Sequence, residues 1–184
     1  METKAYTHSN TRSVVFCGLS IALLAVSAWI SIPFGPVPFT LQTFVLVFIL
    51  LALRPSEALA SIAIYIGMGA LGLPVFSAMR GGFGVILGPT GGFLWGFLLG
   101  AALALGLLKL SGHAQVKDRC LSWDIIAALV FLFASYTCGW LQLAAVSGMG
   151  LEAAFAAGVA PFILIDAVKL FFAIMVARAV RNAV

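Results

Sequence analysis

Two oppositely charged residues, Asp166 and Lys169, stand inside "PFILIDAVKLFFAIMVA", a stretch otherwise apolar from end to end. A separation of three places them on one face of a helix, within reach of each other. Burying either charge alone is costly, so the two either neutralise each other as a structural ion pair or mark the path of a ligand or ion. A third charge lacks such a neighbour. Arg80 lies in "FSAMRGGFGVILGPTGG", residues 76–92, among glycines and with no carboxylate close in sequence. Its guanidinium offers a fixed fork of donors suited to an anion, while Gly81, Gly82, Gly84, Gly91 and Gly92 relax the backbone around it. These features predict a flexible cover over a small acidic ligand.

The elements that must position these groups follow from composition. Of 184 residues 63% are hydrophobic and only 9% charged, with a mean hydropathy of +1.17. Such a chain exposes too much apolar surface to dissolve in water, and its apolar runs do not alternate as barrel strands would. The reading is an all-α integral membrane protein, since a run of about 20 apolar residues crosses the hydrocarbon core as a helix that satisfies its own backbone. Breaks at Pro, Gly and charge predict six transmembrane helices, at 13–32, 39–53, 57–73, 92–110, 124–146 and 157–177. The three prolines of "IPFGPVPF" turn the chain between the first two. No linker or repeat divides it, so residues 1–184 read as a single membrane-embedded domain.

Charge orients the bundle. With the N-terminus in the cytoplasm, Lys4, Arg12, Arg54, Lys109, Lys117, Arg119, Arg178 and Arg181 all fall at cytoplasmic ends, and the C-terminus lies there too. Of the ten basic residues only Arg80 and Lys169 need another reason. The pI near 9.3 invites a nucleic-acid reading, but the charge flanks helices and forms no basic-aromatic platform. The expected location is therefore the cell (inner) membrane, multi-pass, with no nucleic-acid partner. "VSA" at 26–28 resembles a signal-peptide cleavage site, yet cleavage would remove the first helix and disturb the charge pattern, so the uncleaved form is expected.

Other chemistry is thin. Cys17, Cys120 and Cys138 show no paired spacing, and His8 and His113 have no partner ligands, so no metal, cofactor or disulfide is expected. No nucleophile elbow or phosphate-binding loop occurs, so no catalytic residue is assigned and any ATP-driven step needs another subunit. Gly18 and Ala22, with Ala25 on a neighbouring flank, form a small-residue stripe that lets another helix approach closely, inside the bundle or outside it. From an outer start near residue 157, Asp166 and Lys169 lie roughly 13 to 18 Å along the last helix. Arg80, Gln42 and Thr43 fall on the same outer side, so separate segments bring polar groups toward one outward-facing pocket.

The stretches "IPFGPVPFTLQTF" (32–44) and "GLPVFSAMRGGFGVILGPTGGFLWGF" (72–97), followed by Asp166 and Lys169, resemble the BioY family, the biotin-specific S-components of energy-coupling factor transporters, in order across essentially the whole chain. The family commonly has Tyr where Phe93 stands and Gly where Ile165 stands. The resemblance implies an S-component-like bundle of six helices that captures biotin from outside and works with a transmembrane coupling subunit and ABC-type ATPase subunits in the lipid bilayer. It leaves open whether copies of the chain form a homo-oligomer. Under it, Gly18, Ala22 and Ala25 face the coupling subunit.

Biotin's ureido ring carries two N–H donors and a carbonyl, and its valerate ends in a carboxylate. Asp166 can accept the ureido N–H groups, and Lys169 can steady Asp166 or donate to the ureido oxygen. Arg80 then holds the valerate, although the reverse, with Lys169 on the valerate, also fits. Gln42, Thr43, Thr90 and the Gly82 backbone are further polar candidates, and Phe76, Phe93 and Trp95 candidates for packing the rings. The competing readings are an S-component for another vitamin and a membrane-embedded enzyme using Asp166 as acid or base on a lipid-like substrate.

Overall fold

The computed structural model describes residues 3–116 and 119–183, with backbone alone for 3–10 and 183. Lys117 and the side chains of Lys4 and His8 lie outside the described residues. Helices dominate: α1 (Thr3–Trp29), α2 (Gln42–Ala52), α3 (Pro55–Ala70), α4 (Phe83–Ile86), α5 (Gly91–Leu110), α6 (Leu121–Ser147), α7 (Leu151–Gly158) and α8 (Ala160–Ala183). Strands β1 (Ser31–Ile32) and β2 (Phe39–Thr40) form a small antiparallel hairpin between α1 and α2, pairing Ser31 with Thr40 and Ile32 with Phe39.

Each expected apolar segment contains a helix, but the hairpin, α4 and a separate α7 were not foreseen. The hairpin ends α1 at Trp29 rather than 32 and delays α2 to Gln42, so the prolines of 33–38 form its tip. The last segment is divided. The short α7 precedes a break at Val159, where φ is −125° and ψ −55°, and α8 starts at Ala160 with Pro161 in its first turn, where a missing N–H costs nothing. By length and composition four described stretches can cross a membrane: Thr11–Trp29, Gly91–Leu110, Leu121–Ser147 and Leu151–Asn182. At 11 residues α2 rises only about 16 Å, well short of a hydrocarbon core of about 30 Å.

Side-chain burial follows from the helix faces. Leu24, Leu46, Ile49, Ile62, Leu108 and Phe131 are fully buried in one core shared by α1, α2, α3, α5 and α6. Outward faces carry Val14, Phe133 and Leu164, each at least 70% exposed, as a lipid-facing surface requires. The closest helix contact joins α5 to α6. A Cβ at Gly92, Gly96 or Gly100 would stand 2.3, 2.6 or 2.7 Å from the α6 backbone at Cys138, Ser135 or Phe131. Small residues every four positions thus bring two backbones together. Gly91, where a Cβ would meet the Ile86 carbonyl at 1.7 Å, is equally confined. Gly91 and Gly92 are packing positions on α5, which corrects their expected place in the flexible cover.

The segment 71–82 runs across the hairpin side of the bundle and is held at several points. Trp29 Nε1 donates to the Pro74 carbonyl (2.8 Å), the Tyr65 hydroxyl to the Val75 carbonyl (2.9 Å), and the Ser31 and Ser77 hydroxyls share a bond of 2.8 Å. Phe76 N–H donates to the Arg80 carbonyl, closing a turn in which Ala78 and Met79 are both left-handed, at φ 56° and 55°. Non-glycine residues rarely adopt that conformation, and it is sustained here by the surrounding bonds.

Candidate ligand-binding site

The site is built from α8 outward. Asp166 Oδ1 accepts a bond from Lys169 Nζ (2.7 Å) and Oδ2 one from the Tyr136 hydroxyl of α6 (2.7 Å). Lys169 also donates to the Thr40 carbonyl at the end of β2 (2.7 Å), and its ammonium lies 4.0 Å from the centre of the Phe39 ring. Asp166 is 4% and Lys169 8% exposed. The hairpin and α6 therefore supply the second and third partners that a buried ion pair needs. Each Asp166 oxygen keeps acceptor capacity, and one of the three ammonium donors of Lys169 is uncommitted.

These groups border an open-mouthed cavity with about 80 Å³ of space accessible to water-sized molecules. Arg80, Asp166, Lys169 and Gln42 line it, as do Thr43, Thr90, Phe76 and Phe93. The Gln42 amide donates to the Tyr65 hydroxyl (2.8 Å) and is thereby tied to the chain that holds Val75. Arg80 is exposed at the edge, where its Nε donates to the Ser77 carbonyl at 3.3 Å, and no ion pair engages it among the described residues.

Three expected placements differ. Gly82 is not part of the lining; at φ +95° its N–H donates to the Gly69 carbonyl (2.6 Å) and it turns the chain into α4. Trp95 is 46% exposed and lies outside the lining, because Phe93, Leu94 and Phe97 occupy the cavity side of α5. Ala25 is 8% exposed and packs in the main core, whereas Gly18 and Ala22 are on the outer face of α1. The stripe is thus divided between interior and exterior. Sequence reading missed Tyr136 and Ser135, both lining residues. The available signal was a Ser-Tyr pair in the middle of an apolar helix. It also missed the Thr40 carbonyl, which has no side-chain signature.

A second charged cluster lies twelve positions away along both helices, at Asp124 against Tyr136 on α6 and at Arg178 against Asp166 on α8, roughly 18 Å. Asp124, fully buried, receives Arg178 Nη1 at 2.9 Å and both terminal nitrogens of Arg181, with Arg119 Nη1 at 4.0 Å. Burial pushes the Arg119 guanidinium below its usual range, against the stabilising charge of Asp124. None of these residues lines the cavity above, and no group of three or more His, Cys, Asp or Glu that could hold a metal occurs among the described residues.

Fold and site together define a multi-pass helical membrane protein with an open-mouthed cavity whose polar groups converge from α2, α6, α8 and the 71–82 segment. Over residues 1–184 the sequence matches the BioY family, and the chain belongs to that family. A biotin transporter BioY of Thermotoga maritima is 37% identical over 171 residues, covering 93% of this chain and 96% of that one. A probable biotin transporter BioY of Pyrococcus horikoshii is 38% identical over 171 residues (93% and 97%), and a biotin transporter BioY of Rhizobium etli 32% identical over 177 (93% and 94%). The fold is similar to that in the 2.1 Å crystal structure of the S-component for biotin from an ECF-type ABC transporter, with a TM-score of 0.86 at 22% identity over 95% of this chain and 93% of that one.

Proposed function

We propose that this chain is a biotin transporter: the S-component that captures biotin for an ECF-type transporter. The relatives named as biotin transporters support the substrate, and one observation supports its pose: the buried charges balance each other while the charge at the rim does not. Asp166 and Lys169 together are neutral and suit a neutral polar head, so the ureido ring lies deep, its N–H groups on Asp166 and its carbonyl toward the spare donor of Lys169. Arg80 at the mouth suits the valerate carboxylate. Gln42, Thr43 and Thr90 supply further polar contacts, and Phe76 and Phe93 flank the rings.

The same reading assigns six crossings to α1, α2, α3, α5, α6 and α8, with the hairpin completing the path that α2 is too short to span. Both termini are cytoplasmic, as the basic residues favour. The exposed Gly18 and Ala22 face of α1 meets the transmembrane coupling subunit, and ABC-type ATPase subunits supply the energy. Titration of the purified protein in detergent tests the pose. Biotin binds, while biotin methyl ester binds at least about tenfold more weakly. Arg80→Ala weakens biotin and leaves the ester unchanged. Equal affinity for acid and ester overturns the assignment of Arg80.

A further inference from the structure

Two aromatic walls of the cavity stand where they do because a glycine lies behind each. The Phe93 ring on α5 rests on Gly139 of α6, and a Cβ added at Gly139 would come within 2.4 Å of its Cδ1 and Cε1. The Phe76 ring on the 71–82 segment rests on Gly69 of α3, and a Cβ there would stand 2.0 Å from its Cζ. Both rings line the cavity and neither glycine does. These distances are far inside van der Waals contact, and the atoms met are ring atoms, which move only by moving the ring.

Each ring has one direction left. Phe93 is hemmed in by α6, whose backbone already touches α5 at Gly92 and Gly96 on either side of it in sequence. Phe76 is braced edge-on by Tyr65, at 5.6 Å between ring centres and 79° between planes. Tyr65 is in turn fixed by bonds to Gln42 and to the Val75 carbonyl. A ring displaced by a methyl group behind it therefore advances into the empty space in front of it.

We propose that Gly69 and Gly139 are positioning residues that set the width of the cavity, and with it the requirement for a ligand of two fused rings' bulk, by seating Phe76 and Phe93 back from its centre. This rests on the biotin reading above. In titrations of purified protein, Gly139→Ala lowers biotin affinity about tenfold or more, and lowers affinity for the slimmer desthiobiotin less. Trimming the displaced ring rescues it: Gly139→Ala with Phe93→Leu binds biotin within threefold of Phe93→Leu alone. That comparison stands even where the single Gly139→Ala variant does not fold. A double variant that is unfolded, or more than threefold weaker than Phe93→Leu alone, overturns the proposal, as does wild-type affinity in folded Gly139→Ala. Wild-type protein that binds no biotin refutes the biotin reading instead. The seats are then judged from an experimental structure of Gly139→Ala or of the double variant, in which a Phe93 ring or α6 backbone displaced by residue 139 decides: a ring advanced into the cavity supports them, and a shifted backbone with the ring in place overturns them.

Discussion

Two buried carboxylates lie about twelve positions apart along the same pair of helices, and their surroundings differ in one respect. Asp124 is crowded by Arg178 and Arg181 with Arg119 beside them, so cations outnumber it, and it lies apart from the cavity that Asp166 borders. Asp166 has one cation, Lys169, and one neutral donor, Tyr136, and it borders open space. A saturated carboxylate can only hold parts of the protein together. Here it ties the chain before α6 to the end of α8, helped by Arg181 and Arg178 donating to the Val116 and Arg119 carbonyls. A carboxylate supplied with only two donors keeps acceptor capacity for something else. The partner count, and not burial, separates a fastening from a binding site.

This contrast can be broken from either side. The largest effect is expected for Asp124→Asn, which strips the counter-charge from three guanidiniums and costs about 3 to 5 kcal/mol of stability. Thermal or denaturant unfolding in detergent measures the loss, while biotin affinity of the folded fraction stays within twofold. Asp166→Asn does the opposite: affinity falls on the order of 100-fold, because ureido donors then meet an amide and not a charge. Retained affinity in that variant would remove Asp166 from the site. A smaller loss, about five- to tenfold, is expected for Tyr136→Phe, which leaves the Lys169 bond but frees one carboxylate oxygen to turn away. Calorimetry that finds Tyr136→Phe equal to the parent would reduce the hydroxyl to a packing role. Trp95→Ala, on the outer face of α5, should change affinity less than twofold, and a larger effect would put the indole in contact with ligand.

What the sequence made legible follows the same division. A charge inside an apolar run is visible without a fold, so Asp166, Lys169 and Arg80 could be singled out, and long apolar runs announce helices wherever they lie. Two-residue strands and an eight-residue helix leave no such periodic trace, which is why the hairpin and α7 were missed although they bring Thr40, Phe39 and the start of α8 to the site. Tyr136 was hidden for another reason: a tyrosine in a helix is as suited to a core as to a hydrogen bond, and only its opposition to Asp166 across two helices distinguishes these. Asp124 reads in sequence only as a helix boundary, because the two arginines that bond it, Arg178 and Arg181, come from more than fifty positions away. Gly92, Gly96 and Gly100 carried a readable four-residue spacing, but a glycine-rich stretch next to Arg80 suggested pliability where the fold requires contact.

That contact has a mechanical consequence. With α5 and α6 touching backbone to backbone at Gly92, Gly96 and Gly100, neither helix can bow over that stretch without losing the fit. That fit sets the contour of the half of the chamber they build, from Phe93 and Phe97 to Ser135 and Tyr136. The opposite half is fastened differently: individual hydrogen bonds tie the Arg80 segment to Trp29, Ser31 and Tyr65, and the Lys169 bond to the Thr40 carbonyl ties the hairpin to α8.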